Sequence, residues 1–289
     1  MAFFLIITLG YVMMIVWTVV TISTMSFSSL PLLCMLGTIL FSYLIYAWQY
    51  RVRPTLENTK GHVIVIVPEM RSRLTVHLLC AIYDRLIRFL YRLHMKAPRT
   101  EVLVWSYRAH QYNSSFEIRR DLQSYLQTLF DKKKSVHLIG ISFGGLLVYE
   151  LIHEMVFAPS EICSVVTIAA PIQGCRLSCI FLGPWFLLRW LYGNVVTSLL
   201  ERAAFRSSTN VVSIPEYYII LNNWFVKCDG KLLYSDQMPL PQGDDNHFIV
   251  NGCLHDVSMI FDSRIISLAL MLSVGSSSSK ELSYQHHHH

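Results

Sequence analysis

Apolar residues fill positions 2–23, and after a polar patch at Ser26, Ser28 and Ser29 they resume at Pro31 and run to Tyr50. A helix rises 1.5 Å per residue, so the first run is about 33 Å long against roughly 30 Å of hydrocarbon. Pro31 suits the first turn of a second helix. The pattern therefore predicts a two-helix transmembrane hairpin over residues 1–50, with both chain ends on one side. A buried core helix would show a polar face, and neither run has one. A cleaved signal peptide fits less well, because no basic segment precedes the first run.

Beyond residue 50 the pattern changes. Val63–Val67 is a short β-branched run, residues 74–94 repeat apolar positions at helical spacing, Val102–Trp105 reads as strand and residues 116–130 as helix. The order then repeats, with Val136–Ile139 a strand, 143–156 a helix, and Val165–Ala169, Tyr217–Leu221 and His247–Val250 further strands. Strands alternating with helices predict an α/β domain with a doubly wound, mostly parallel sheet over residues 51–274. Ligands in such sheets sit at the carboxyl ends of strands. From Gly275 the chain is Ser-rich and closes in His286–His289, which reads as a linker and the remnant of a tag, a metal-binding tract being the alternative.

Composition sharpens this division. The 289 residues are 53% hydrophobic and 15% charged, and the first fifty contain no Asp, Glu, Lys, Arg or His. Such a chain is too apolar to be disordered. A net charge of +5 without a basic tail or a Cys/His ladder argues against nucleic acid as a partner and leaves the bilayer as the better one. Tyr43, Tyr46, Trp48 and Tyr50 gather at the end of the second run and Arg51 and Arg53 follow, so that end is expected to face the cytosol. The seven cysteines (Cys34, Cys80, Cys163, Cys175, Cys179, Cys228 and Cys253) lack metal-ligand spacing and are expected to be mostly unpaired, as in a reducing compartment, although Cys175 and Cys179 could pair in an oxidising one.

The candidate chemistry lies at Gly140-Ile141-Ser142-Phe143-Gly144-Gly145, a G-x-S-x-G pattern between a predicted strand and a predicted helix. A serine on a tight, strained turn projects its hydroxyl from the sheet, and glycines on either side let strand and helix approach without Cβ clashes. The Phe143 N–H, at the helix start, is free to hold an oxyanion. A base and an acid follow such a serine in the order Ser, Asp or Glu, His. Of His153, His247 and His255, the first lies inside the following helix and the second opens a strand. His255, expected in the loop beyond that strand, is the candidate base. Asp229 is the candidate acid, with Asp236, Asp244 and Asp245 as rivals, since aspartates also serve turns and caps.

These residues resemble the α/β-hydrolase family, and within it the serine lipases and esterases, over roughly residues 60–265. The resemblance is carried by the elbow GISFGG, by Thr167–Gly174 with its Pro-x-x-Gly turn, by Asp229-Gly230, and by His255 before an apolar helix. It implies a catalytic set of Ser142, Asp229 and His255, with no cofactor and no metal. Family members often carry His-Gly after the strand that bears the oxyanion loop; here Val67 is followed by Pro68, Glu69, Met70 and Arg71. By position, the second oxyanion donor would be the Met70 N–H.

Two stretches suggest a lipid surface. Residues 71–99 hold Arg71, Arg73, Arg85, Arg88, Arg92, Lys96 and Arg99 against the single acid Asp84. A helix with Leu78, Ile82, Leu86, Phe89 and Leu93 facing the sheet would turn several arginines outward. Residues 178–200 are rich in Trp, Phe, Leu and Tyr with Arg189 the only charge, which predicts a lid or cap insertion near residues 175–205. The expected function is a membrane-anchored serine hydrolase that cleaves carboxylic esters, most simply lipid acyl esters. The alternatives are acyl transfer or thioester cleavage on the same fold, and a non-catalytic lipid-binding scaffold. Oligomeric state is not legible.

Overall fold

The computed structural model describes residues 37, 61–71, 73, 77–95, 100–154, 157, 161–175, 185–196, 214–222, 232–238, 246–253 and 255–274. The chain divides into two compact units, Met1–Gln49 and Tyr50–His289. The predicted hairpin and the tail from Gly275 lie outside the described residues apart from Gly37. Among the described residues, no helix is long and apolar enough to cross a membrane.

Among its described residues the second unit has six strands: β1 (His62–Val67), β2 (Glu101–Val104), β3 (Ser135–Ile141), β4 (Ile162–Ile168), β5 (Glu216–Asn222) and β6 (His247–Asn251). They form one sheet in the order β2-β1-β3-β4-β5-β6, and every pairing is parallel. The helices are α1 (His77–His94), α2 (Ser115–Phe130), α3 (Phe143–Glu154), α4 (Trp185–Tyr192), α5 (His255–Phe261) and α6 (Ser263–Val274).

Burial shows why the inner strands read as continuous apolar runs. Val63, Val65 and Val67 of β1 join Ile118, Leu122 and Leu126 of α2 and Leu146, Leu147 and Leu151 of α3 in one core. Alternate residues point to opposite faces, so Ile64 and Ile66, both fully buried, belong to the other face. There α6 packs on β3, β4 and α1. Helices therefore cover both faces of the inner strands, as parallel sheets require.

Helix α2 begins where Ser114 accepts a hydrogen bond from the Glu117 N–H and Glu117 accepts one from Asn113, the reciprocal satisfaction of helix-start donors. Its Arg119, 6% exposed, pairs with the fully buried Glu150 of α3 and with Glu154, and also donates to Ser115 Oγ at 3.2 Å. This cluster ties α2 to α3.

The strand order contains one reversal. The chain leaves β1 through α1 to the outer strand β2, then returns across β1 to β3 and proceeds the other way. Such a reversal parts the flanking loops and opens a crevice at the strand carboxyl ends, here between β1 and β3.

The structure corrects two local expectations. Helix α1 turns Cys80, Ile87, Leu90 and Tyr91 inward, while Ile82 and Phe89, assigned to the sheet-facing side from sequence, are each 51% exposed. The helix carries two apolar stripes, and periodicity alone selected the outer one. Arg71, expected among the outward arginines, is 5% exposed and pairs with Asp84. Its guanidinium also lies 4.7 Å from the centre of the Tyr83 ring.

Breaking a buried ion pair from one side strands a charge and costs about 3–5 kcal/mol. Arg119→Ala, which strands the fully buried Glu150, is therefore expected to lower unfolding free energy by about that amount, whereas the double replacement Arg119→Met/Glu150→Leu recovers most of it. Chemical denaturation of the three proteins checks this; equal loss in single and double variants would refute it.

Candidate active site

Ser142 follows β3 directly and precedes α3. Its φ is 52°, a left-handed value that a non-glycine residue adopts only when its surroundings enforce it, at a cost on the order of 1–3 kcal/mol. Here the enforcement is visible. The Ser142 N–H donates to the Ile168 carbonyl of β4 at 2.8 Å, and the Ser142 carbonyl accepts from the N–H groups of Gly145 (2.9 Å) and Leu146 (3.2 Å).

The neighbouring glycines serve close approach rather than unusual dihedrals. A Cβ on Gly140 would lie 2.4 Å from Gly145 Cα, and one on Gly144 would lie 2.2 Å from the Val67 carbonyl oxygen. The strand, the first turn of α3 and the end of β1 thus touch backbone to backbone. Phe143, the first residue of α3, has an N–H with no acceptor inside its own helix. Its side chain is 2% exposed, and its ring centroid stands 6.3 Å from that of Tyr107.

The imidazole arrives from the other end of the chain. After β6, Gly252 turns the backbone with φ 75°, and the Cys253 N–H donates to the Asn222 carbonyl at the end of β5 at 3.1 Å. His255 follows as the first residue of α5, not as a loop residue as the sequence suggested, and is 4% exposed. Its Nε2 lies 2.9 Å from Ser142 Oγ.

The other histidines are engaged elsewhere. His153 Nδ1 is 2.8 Å from the Tyr149 carbonyl, and its Nε2 is 3.7 Å from Glu216, whose carboxyl is pushed up by burial against the opposing pull of His153. His247 stacks on Tyr218 with ring centroids 5.1 Å apart.

Asp229, Asp244 and Asp245 lie outside the described residues. Asp236 is fully buried in a short turn, where its carboxylate accepts from the Leu233 N–H at 3.4 Å and its carbonyl accepts from the Gln173 N–H at 2.9 Å. It thus holds the loop after β5 against the loop after β4.

Met70 packs against the core that contains Phe143. The loop around it, Pro68–Arg71, is pinned to α1: Tyr83 donates to Glu69 at 3.0 Å, Arg71 pairs with Asp84, and Arg71 reaches Ser106 Oγ at 3.5 Å. Burial, with Glu69 second, raises the Tyr83 phenol, so it stays protonated and keeps donating. Sequence reading missed this fastening because the partners lie on separate elements.

Of the predicted insertion, residues 185–196 are described: α4 and the short turn Asn194–Val196. The Leu191 carbonyl accepts from the Arg73 N–H at 2.8 Å. Arg73, His110, Tyr112, Arg189, Trp190 and Asn194 line a cleft of about 440 Å³. Burial and the nearby Arg73 and Arg108 lower the His110 imidazole, leaving the arginines as the cations of this cleft.

With this geometry in place, comparison with solved structures is informative about the fold. The chain is similar to the metagenomic carboxyl esterase MGS0156 (TM-score 0.51, 14% identity, 78% of this chain and 77% of that one). It is also similar to the Bacillus licheniformis lipase BlEst2 in mature form (TM-score 0.50, 16% identity, 73% and 91%). A third similar structure is a lipase-esterase related protein from Clostridium acetobutylicum (TM-score 0.50, 12% identity, 75% and 96%). No protein-family model and no curated protein matches the chain. The chain therefore has the α/β-hydrolase fold seen in lipases and esterases.

Because a Cβ on Gly144 would drive into the Val67 carbonyl, Gly144→Ala is expected to destabilise by at least about 1–3 kcal/mol, the ordinary cost of overpacking. A thermal midpoint equal to that of the parent would refute the close approach.

Proposed function

We propose that the protein is a serine hydrolase that cleaves carboxylic esters, acyl esters of lipids in particular, and that residues 1–50 anchor it in a membrane. The observation that carries this reading is the 2.9 Å contact between Ser142 Oγ, on its strained turn, and His255 Nε2. In the proposed reaction His255 removes the Ser142 proton as the oxygen attacks the ester carbonyl. The tetrahedral oxyanion is held by the Phe143 N–H at the start of α3 and by the Met70 N–H on the pinned loop. Collapse expels the alcohol, which takes the proton from His255, and water then releases the acyl group by the same steps in reverse roles. Asp229 is assigned the orienting role toward His255, holding its tautomer and stabilising the imidazolium.

Lipid as substrate is supported by surface chemistry. Ile82 and Phe89 stand exposed on α1 beside the exposed Arg85 and Arg92, a combination suited to an anionic interface. Trp190 is 50% exposed on α4. The two arginines of the adjoining cleft suit an anionic headgroup. The uncharged residues 1–50 and the arginines that follow support two spans with the hydrolase unit on the cytosolic side. An anchor raises the local concentration of a lipid ester at the site.

A fluorophosphonate probe is expected to label Ser142, with labelling abolished in Ser142→Ala and slowed at least about a hundredfold in His255→Ala. A folded parent protein that takes no label would overturn the hydrolase reading. In the same assay Asp229→Asn should slow labelling by up to about 10⁴-fold, while Asp236→Asn should lower stability and leave most of the labelling rate. The reverse pattern would transfer the acid's role to Asp236.

A further inference from the structure

Toward the amino ends of β1, β3 and β4, at the end of the sheet opposite Ser142, three side chains converge: His62, His137 and Cys163. One ligating atom from each lies within 4.8 Å of the others. His62 Nδ1 and His137 Nε2 are 3.2 Å apart. Two nitrogens on a tetrahedral zinc ion, each about 2.05 Å from the metal, are roughly 3.3 Å apart. Residue 137 and Ser142 are separated by five strand residues, roughly 16 Å, so the cluster lies away from the hydrolytic site.

The hydrogen bonds behind His137 fix which of its atoms faces the cluster. The Ser273 carbonyl can only accept, so the Ser164 hydroxyl at 2.7 Å must donate to it. Ser164 Oγ is then an acceptor toward His137 Nδ1 at 2.8 Å, and the Nδ1 atom carries the proton. In the neutral ring, Nε2 therefore presents its lone pair to His62 and Cys163. A histidine whose far nitrogen donates into a fixed chain of acceptors is the usual arrangement behind a metal ligand.

Cys163 supplies the third, softer group. It carries a free thiol and is half-buried rather than sealed. We propose that His62, His137 and Cys163 bind a divalent, thiolate-accepting metal ion of the zinc class, with water or a fourth side chain completing the tetrahedron. Two imidazoles and a thiolate select zinc over magnesium or calcium, which take oxygen ligands. The bound ion would clip three adjacent strands together at the end remote from the catalytic serine. Through Ser164 and Ser273 it would also reach the end of α6.

The test uses the full chain, stripped with a chelator under reducing conditions and titrated with Co²⁺ alone. The expected result is a near-ultraviolet thiolate-to-cobalt absorption band that saturates and is displaced by Zn²⁺. The terminal His286–His289 run has no sulfur and adds nothing to that band. Cys163→Ser should abolish it. Ser164→Ala retains all three ligands and should weaken cobalt binding by about 10–100-fold, the usual loss when the hydrogen bond behind a ligating histidine is removed. Near-ultraviolet circular dichroism establishes that each protein is folded. A folded parent without the band, or a band that survives in Cys163→Ser, would overturn the proposal and leave a hydrogen-bonded histidine pair.

Discussion

The site depends on one backbone constraint: a residue that is not glycine held in left-handed conformation between β3 and α3. That geometry is unfavourable in isolation and persists because its surroundings offer no alternative. The Ser142 N–H is committed to β4, its carbonyl to the first turn of α3, and the glycines around it allow three backbone segments into contact. Side chains larger than hydrogen at positions 140 or 144 would separate the elements that hold the turn. The nucleophile's exposure and the packing of the sheet are thus one problem with one solution.

The strand order places that turn where it can be useful. Reversal of winding between β1 and β3 sets the Ser142 turn and the Pro68–Arg71 loop side by side at the carboxyl ends of two adjacent strands. The loop contains no glycine and is fastened by the Arg71–Asp84 pair and the Glu69–Tyr83 hydrogen bond. Arg71 is consequently a buried structural cation, not part of a surface field. A count of charges over residues 71–99 could not distinguish these roles, because the difference lies in which side chains find partners on another element.

Much of the architecture was legible because its causes are local. The β-branched run at 63–67 and the short apolar run ending in Ile139 read as strands, and their alternation with helices read as a parallel sheet. The elbow read from glycine spacing, and His255 from its order after the serine. What escaped had non-local causes. The inner face of α1 was misassigned because Ile82 and Phe89 continue the same periodicity as the true core positions. His255 read as loop because helix α5 has only seven residues and its start is set by Gly252 and Cys253. The group His62, His137 and Cys163 has no spacing signature, since parallel register across three strands brings its members together. The acid remains a matter of sequence order, because Asp229 lies outside the described residues.

The serine and the imidazole are delivered by parts of the sheet with very different protection. Ser142 leaves a strand sealed on both sides by neighbours and helices. His255 follows β6, which closes the strand order, is bonded to β5 alone among the described residues, and leaves Ile249 half in solvent. Boundary strands of this kind fray at a smaller free-energy cost than interior ones. On the proposed hydrolytic reading, opening of that margin would carry the imidazole away while the serine stayed seated in intact scaffold. Activity would then follow the stability of one marginal strand rather than the global stability of the fold, and warming would silence the site before the molecule melts.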